Sequence, residues 1–263
     1  MKLYAPSTIK EIKNQYNFRL SKSLGQNFLT DKHIIDRIIE GSQIGPEDLV
    51  IEIGPGIGVL TAEAAENAKR VVAVEIDNGL IPILEDTLKE YDNITILNQD
   101  VLKTDFSAIV SAYKTEGKTK IIGNLPYYIT TPILMKLLEE RVPADSITVM
   151  MQKEVADRIK ADPGNKNYGA LSVAVQYYCR VSQIAEVPKE VFFPPPKVDS
   201  AVLRMDIREE RPVVLQDETL FFTCIRAGFG QRRKTLLNSL TGAAGLSKDA
   251  VREVLQTAGI DSG

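Results

Sequence analysis

The feature that most constrains the fold is the alternation of strand-like and helix-like segments between residues 48 and 160. It begins with the apolar pentapeptide Leu49–Ile53, which is typical of a strand buried on both faces, and a glycine-rich turn follows at once. Four more strand-like segments follow, at 71–74, 94–97, 120–123 and 146–151, and all but the one at 120–123 come after a helix-like segment. Strands that alternate with helices form right-handed βαβ units. The pattern therefore predicts an α/β fold with a doubly wound, mostly parallel sheet.

The segments on either side of this core define the predicted domains. Residues 1–24 lack clean periodicity and are predicted to form a basic N-terminal arm that is mobile without a partner. The α/β domain is predicted to cover 25–207, and a charged linker that ends at Pro212 opens a small all-α domain over 208–263. Its helices are predicted at 216–228, 232–241 and 247–258, separated by glycines.

Further elements are predicted inside the α/β domain. Thr30 or Asp31 can cap a helix that Gly41 stops. The segments 180–187 and 198–207 alternate like strands and could form an antiparallel hairpin at the sheet edge. The proline-rich stretch between them is predicted to be a stiff, extended loop.

Composition excludes several classes of protein. The 263 residues are 44% hydrophobic and 25% charged, as in ordinary globular domains. Cys179 and Cys224 are far apart, and His33 is the single histidine, so we expect neither a zinc site nor a disulfide framework. No apolar run is long enough to cross a membrane, and no signal-peptide pattern opens the chain, so we expect a cytoplasmic protein.

Charge is concentrated in two segments although the net charge is only −3. Residues 1–30 carry five basic side chains against one acidic side chain, and residues 219–248 carry five against none. Basic segments on an acidic body favour a polyanion such as RNA as partner, the alternative being solvated tails and helix faces.

The polar residues at the strand ends predict a nucleoside-like ligand. Gly54, Gly56 and Gly58 form the turn after the first strand, but their spacing fits neither a dinucleotide fingerprint nor a P-loop. Glu75 ends the second strand, where an acid accepts hydrogen bonds from a ribose, and Asp100 ends the third, where it can accept from an adenine amine. Each acid alone could be a solvated strand end. Together, the two acids and a glycine turn that does not fit a diphosphate-binding motif indicate S-adenosylmethionine as the ligand. They therefore predict a Rossmann-like methyltransferase.

The hexapeptide Gly123–Tyr128 follows the fourth strand and predicts a seat for an aromatic amine. The Asn124 amide and the Leu125 carbonyl can accept two hydrogen bonds from one amino group, and Tyr127 can stack on its ring. The alternative is a strand-end turn in which Asn and Pro supply turn chemistry and Tyr packs in the core.

Six motifs in fixed order resemble a known family. They are Gln26-Asn27-Phe28-Leu29, Glu52-Ile53-Gly54-Pro55-Gly56, Val74-Glu75-Ile76-Asp77, Gln99-Asp100-Val101, Gly123-Asn124-Leu125-Pro126-Tyr127 and Phe192-x-Pro194-x-Pro196-x-Val198-x-Ser200. The chain thus resembles the small-subunit ribosomal RNA adenine dimethyltransferases of the KsgA type, from about residue 20 through the helical tail.

The resemblance implies an activity and a partner. Such enzymes dimethylate the exocyclic amines of two adjacent adenines in a hairpin loop near the 3′ end of small-subunit (16S) rRNA, during ribosome biogenesis. They use S-adenosylmethionine and release S-adenosylhomocysteine. We expect a monomer that binds this rRNA or the immature small subunit, without a membrane or a metal. Relatives usually continue past Gly259 into a further helical stretch, so a shortened C-terminus is expected.

The predicted site residues fall into three groups. The cofactor-binding group is Gln26, Asn27, Leu29, Gly54, Gly56, Glu75, Ile76, Asp100, Val101 and Asn124. The catalytic group is Asn124, Leu125, Pro126, Tyr127 and Phe192, in which Tyr127 and Phe192 hold the two faces of the flipped base and Phe193 is the second choice for Phe192. The RNA-binding group is Lys22, Arg226, Arg232, Arg233 and Lys234.

Three other functions share some of these features. The related enzymes that methylate one adenine in large-subunit rRNA have nearly all the motifs. An assembly or transcription factor could keep the fold without catalysis, although intact Asn124, Tyr127 and Asp100 argue for activity. A small-molecule or protein-glutamine methyltransferase is disfavoured by the two basic segments.

Overall fold

The computed structural model describes residues 2–21, 24–231 and 233–261. It divides into two compact units. The first unit comprises the described residues of Met1–Asp157 and Cys179–Arg208, and the second those of Arg158–Tyr178 and Glu209–Gly263.

A seven-stranded sheet forms the centre of the first unit, in the order β4-β3-β2-β5-β6-β9-β7. Its strands are β2 (Leu49–Ile53), β3 (Arg70–Glu75), β4 (Ile94–Asn98), β5 (Thr119–Asn124), β6 (Ser146–Gln152), β7 (Cys179–Val187) and β9 (Ser200–Ile207). The first five are parallel, whereas β9 runs antiparallel to both β6 and β7. The predicted mostly parallel sheet and the predicted antiparallel pair at its edge are confirmed.

Helices connect the parallel strands as βαβ units. They are α3 (Val59–Ala65), α4 (Ile81–Thr87), α5 (Phe106–Tyr113) and α6 (Thr130–Glu139), and α7 (Lys153–Ile159) follows β6. All five residues of β2 are buried, as expected for a central strand covered on both faces. Because β3 and β5 lie on opposite sides of β2, the strand order reverses there. The carboxyl ends of β2 and β5 therefore open a crevice at the point where such sheets bind ligands.

Helix α2 (Lys32–Ser42) shows one confirmed and one wrong prediction. Asp31 is the cap, because its side chain accepts a hydrogen bond from the Ile34 amide at 3.1 Å. Gly41 does not stop the helix, which ends only where Gln43 adopts a left-handed conformation. The glycine has a packing role instead, since a Cβ atom there would lie 2.6 Å from Ile184.

The N-terminal region is not the predicted irregular arm. Residues Pro6–Gln15 form helix α1, in which Pro6 occupies the first turn. Ile9 and Ile12 lie one turn apart and are both buried in the core of the first unit. Their spacing was the signal for a helix, and burial of that face anchors it.

Three other elements, one helix and two short strands, were not predicted. Helix α5 begins at Asp105, which caps the Ala108 amide at 2.9 Å. The two-residue strands β1 (Phe28–Leu29) and β8 (Phe192–Phe193) pair antiparallel. A single 3₁₀ turn at Lys189–Val191 immediately precedes β8. Strands this short carry no periodicity, and yet this pair joins the Gln26–Leu29 motif to the proline-rich loop.

The second unit is helical. It contains α8 (Ala170–Tyr178), α9 (Glu218–Gly230), α10 (Leu236–Leu240) and α11 (Lys248–Thr257), with a 3₁₀ turn at Ala243–Gly245. Tyr177 and Tyr178 of α8 contact Phe221 and Phe222 of α9 with ring centroids 5.5 to 5.7 Å apart. The Tyr178 hydroxyl also donates to Glu218 at 2.6 Å. These contacts explain why residues 158–178, which sequence analysis assigned to the α/β domain, group with the C-terminal helices.

Candidate active site

A cavity of about 310 Å³ opens at the carboxyl ends of the parallel strands in the first unit. All ten residues predicted to bind the cofactor line it. They come from five places: the segment before α2, the turn after β2, the end of β3, the residues just after β4, and the end of β5. Sequence motifs spread over 99 positions, from Gln26 to Asn124, are thus brought to one place by the parallel sheet.

The turn after β2 forms the floor of the cavity. Gly54, Gly56 and Gly58 have φ values of 69°, 61° and 89°, in the left-handed region that favours glycine. A Cβ atom on Gly56 would lie 2.9 Å from the ring of Phe28, so a side chain there would displace the motif that precedes α2. The turn therefore brings the backbone close to the ligand space.

Glu75 is a buried acid of the cavity wall, with 5% of its surface exposed. Its Oε1 accepts a hydrogen bond from the Asp77 amide at 2.8 Å, and the Gln26 side chain donates to Asp77 at 2.6 Å. Burial raises the pKa of Glu75 to about 7, although backbone amides at Asp77 and Gly56 favour its ionised form. A carboxylate held in this way can accept hydrogen bonds from a pair of hydroxyls.

Asp100 and two exposed apolar side chains form the outer part of the cavity. Asp100 accepts from the Leu102 amide at 3.0 Å, which fixes the carboxylate at the end of β4. Ile76 is 48% exposed and Leu102 is 40% exposed, and both line the cavity. Two aliphatic side chains beside a fixed acceptor suit a flat ring that carries an amino group.

The Asn124 amide has a defined orientation. Its nitrogen donates to the backbone carbonyl of Asn27 at 2.9 Å, which leaves the amide oxygen as an acceptor on a side chain that lines the cavity. Gly123 permits the close approach of β5 to β2, since a Cβ atom there would lie 2.6 Å from the Ile53 carbonyl oxygen. The Leu125 amide donates to Met150 at 3.1 Å, which anchors the start of the turn.

The predicted catalytic residues are not all on the cavity wall. Asn124 and Pro126 line it, whereas Leu125, Tyr127 and Phe192 do not. Tyr127 is half-buried, and its hydroxyl lies 2.6 Å from the Ser200 hydroxyl. Burial is the main cause that raises the pKa of the Tyr127 hydroxyl, so this group stays protonated at neutral pH.

Phe192 requires a correction. It was predicted to stack on the target base, but it is only 4% exposed and belongs to the hydrophobic core, where it pairs with Leu29. Its ring has no open face in this structure, and it anchors the proline-rich loop instead. Phe193, the second choice, is half-buried, and the Lys13 ammonium lies 5.4 Å from its ring centre.

The predicted RNA-binding residues are only partly described. Arg226, Arg233 and Lys234 are exposed in the helical second unit. Lys22 and Arg232 lie outside the described residues.

The cavity wall also contains residues that the sequence did not assign to the site, among them Glu52, Leu102 and Tyr128. Tyr128 is 58% exposed and lies 3.6 Å from where a Cβ atom on Gly25 would be. The hexapeptide contained this second tyrosine, but spacing alone did not distinguish it from Tyr127. Glu52 had a clearer signal, since a lone carboxylate in an apolar β2 is unusual.

Glu52 is the most buried acid of the cavity, with 1% of its surface exposed. Its Oε2 atom has no hydrogen-bond partner among the described residues. Burial, reinforced by the nearby Glu75, raises the pKa of Glu52 from its ordinary value of 4.5 to about 8. The protonated, neutral form of the side chain therefore predominates at neutral pH.

This protonation predicts a pH-dependent stability. Between pH 4.5 and 8 the folded protein holds a proton that the unfolded chain has lost, so the free energy of unfolding falls as pH rises. We expect Glu52 to contribute a slope of up to about 1.4 kcal/mol per pH unit, which Glu52→Gln removes. Denaturant unfolding of both proteins without cofactor, from pH 5 to 9, measures it. If the free energy of unfolding changed with pH in the same way in both proteins, the raised pKa of Glu52 would be contradicted.

Neither a metal site nor a membrane span is found in the part of the chain that the structure describes. No group of three or more His, Cys, Asp or Glu side chains there is arranged to hold a metal ion. None of the described helices is both long and apolar enough to cross a membrane.

The sheet order, the glycine turn and the acidic strand ends together define a Rossmann-like methyltransferase. Residues 17–262 match the family described as ribosomal RNA adenine dimethylase. The chain belongs to this family.

Close relatives share nearly the whole sequence. Over 260 residues the chain is 53% identical to ribosomal RNA small subunit methyltransferase A of Clostridioides difficile strain 630, covering 99% of this chain and 90% of that protein. It is 54% identical over 262 residues to the protein of the same name from Alkaliphilus metalliredigens strain QYMF, covering 99% and 91%.

Two solved structures share the fold. A dimethyladenosine transferase from Plasmodium falciparum superposes with a TM-score of 0.71 at 30% identity, covering 87% of this chain and 78% of that one. The 23S rRNA methyltransferase ErmE superposes with a TM-score of 0.68 at 29% identity, covering 90% and 91%.

Proposed function

We propose that this protein transfers methyl groups from S-adenosylmethionine to the exocyclic amines of two adjacent adenines, near the 3′ end of small-subunit rRNA, during ribosome biogenesis. The observation that carries the proposal is the Asn124 amide, which Asn27 fixes with its oxygen as acceptor beside a cavity that Glu75 and Asp100 line. Identity of 53% to a small-subunit methyltransferase supports the choice of substrate.

The cavity residues fit S-adenosylmethionine. Glu75 offers a buried carboxylate for the two ribose hydroxyls, and Asp100 offers an acceptor for the adenine amine. Ile76 and Leu102 offer apolar faces for the adenine ring. When bound, this cofactor supplies an electrophilic methyl group and becomes S-adenosylhomocysteine.

The residues of the hexapeptide orient a weak nucleophile. The lone pair of an adenine amine is conjugated into its ring, so the nitrogen attacks poorly. The Asn124 oxygen and the Leu125 carbonyl accept its two N–H bonds and favour a pyramidal nitrogen, while Pro126 keeps the turn rigid. The same two dipoles stabilise positive charge that develops on the nitrogen. No side-chain base is required, because the methylated cationic amine loses its proton readily to water.

Tyr127 provides the stacking face for the target base in this proposal. The base must leave its RNA stack to reach the site, and stacking on an aromatic ring contributes about 1–3 kcal/mol. Phe193 is half-buried, whereas Phe192 lies in the core. Of these two residues, Phe193 is therefore better placed to stack on the face of the base opposite Tyr127.

The exposed cations of the second unit would bind rRNA phosphates. We expect the triple variant Arg226→Gln, Arg233→Gln, Lys234→Gln to bind small subunits more weakly. The slope of log K against log salt should flatten by about 2 to 3, since each contact releases about one counterion. Binding titrations at several salt concentrations measure the slope.

A charge-matched control separates phosphate contacts from net charge. Lys69, Lys89 and Lys114 are exposed lysines of the first unit, and their triple replacement by Gln removes the same charge. It should leave the slope nearly unchanged. Equal slopes for the two triple variants would count against the assignment.

The substrate is tested by offering the RNA of each ribosomal subunit separately with labelled cofactor. We expect label on small-subunit RNA. Label on large-subunit RNA would favour the related function, and failure to bind S-adenosylmethionine would favour a non-catalytic assembly factor.

A further inference from the structure

Ser200 is a wholly buried hydroxyl whose partner belongs to the hexapeptide. It is the first residue of β9 and is 0% exposed, and its Oγ lies 2.6 Å from the Tyr127 hydroxyl oxygen. A buried hydroxyl is costly without a hydrogen bond, so this contact accounts for a serine at a wholly buried position of the strand. It joins the end of the proline-rich loop to the turn that follows Asn124.

The backbone of Ser200 is held on both sides. In the sheet it lies opposite Gln152 of β6 and opposite Val187 of β7. The hydroxyl therefore extends from a strand with two paired neighbours, which makes it a fixed point.

Tyr127 is fixed at its other end by the turn. The Ile129 amide donates to the Pro126 carbonyl at 3.1 Å, and the Thr130 hydroxyl donates to the same carbonyl at 3.0 Å. A tyrosine side chain has two main torsions, so a fixed backbone and an anchored hydroxyl together define the plane of the ring. Without the anchor, the ring would be free to tilt about its Cα–Cβ bond.

We propose that Ser200 is a positioning residue for methyl transfer, whose hydroxyl holds the Tyr127 ring in the plane on which the target adenine stacks. The inference rests on the proposed function, since it assigns Tyr127 to the substrate base. Ser200 does not line the cavity. It acts through Tyr127 alone, and this makes the proposal separable from a general structural role.

A double-mutant cycle tests the proposal on unmethylated small subunits. Ser200→Ala should lower kcat about tenfold, as expected for a reacting group misplaced by less than an ångström, with the Kd for S-adenosylmethionine unchanged. Tyr127→Phe should lower kcat similarly, because it keeps the ring and removes the anchor. The double variant should be no slower than either single variant, since both break the same bond. Ser200→Thr, which keeps a hydroxyl, should recover part of the activity.

A matched control measures the effect of losing any buried hydroxyl. Ser146 is 2% exposed in β6, and its Oγ has no hydrogen-bond partner among the described residues. Ser146→Ala should leave kcat unchanged.

The outcomes separate this proposal from the proposed function. If wild-type protein methylates the subunits but Ser200→Ala is as fast, Ser200 does not position Tyr127. If the fold-decreases in kcat of the two single variants multiply in the double variant, Ser200 does not act through Tyr127, and the proposal is again overturned. If wild-type protein does not methylate small subunits, the proposed function itself fails.

Discussion

Asn124→Ala is expected to lower kcat for methyl transfer by about 10²- to 10³-fold, the loss seen when one oriented dipole is removed from a reacting centre. The variant loses the oxygen that we propose accepts from the adenine amine, whereas the carboxylates of Glu75 and Asp100 remain. The Kd for S-adenosylmethionine should therefore change much less than kcat. Single-turnover kinetics on unmethylated small subunits, together with calorimetric titration of the cofactor, measure the two quantities separately.

Two further variants test the geometry behind this result. Asn124→Asp preserves size but puts an acceptor where the Asn124 nitrogen now donates to Asn27 at 2.9 Å, so it should also be slow. Asn93→Ala removes another side-chain amide, one that donates to Ala65 at 2.9 Å away from the cavity, and it should keep wild-type kcat. A wild-type kcat in the Asn124→Ala variant would contradict the proposed mechanism.

Glu75→Gln is expected to weaken cofactor binding by about 10²-fold, because two charge-assisted hydrogen bonds to the ribose are lost. The variant should fold, since the amide oxygen can still accept from the Asp77 amide. At saturating cofactor its kcat should approach the wild-type value. Calorimetric titration with S-adenosylhomocysteine measures the affinity without turnover.

The same carboxylate gives cofactor affinity a pH dependence. Burial raises the pKa of Glu75 to about 7, and in the proposed site the ribose hydroxyls bind its ionised form. Below pH 7 the Glu75 side chain must lose a proton before the cofactor binds. The Kd should therefore rise by up to about tenfold for each unit that the pH falls below 7, and it should be constant above pH 7. Glu75→Gln should bind with a flat profile, whereas Glu85→Gln, at an exposed acid of α4, should keep the wild-type profile. A flat wild-type profile would show that Glu75 does not bind the cofactor in its ionised form.

The sequence was sufficient to predict the sheet and the ends of its strands. Apolar segments such as Leu49–Ile53 carry a strong local signal for a strand. Parallel topology then brings the residues that follow the strands to one edge of the sheet, independently of the loop conformations; they are Gly54, Glu75, Asp100 and Asn124. Residues that act through their place on such an edge are predictable from order and spacing.

The remaining features depend on contacts distant in sequence. Phe192 was assigned to the substrate because its motif fits, but whether its ring faces the base or the core depends on packing against Leu29, 163 positions away. The pair β1–β8 has two residues in each strand, too few for any period. The orientation of Asn124 depends on a carbonyl 97 positions away, and no pattern of letters encodes that hydrogen bond.

Mass mapping of modified nucleotides tests the central claim most directly. Unmethylated small subunits are incubated with the protein and S-adenosylmethionine, and their rRNA is digested and sequenced by mass. We predict two adjacent adenines near the 3′ end, each with two added methyl groups on its exocyclic amine, and none after incubation with Asn124→Ala. Unmodified adenines at that site after incubation with wild-type protein that binds the cofactor would contradict the account.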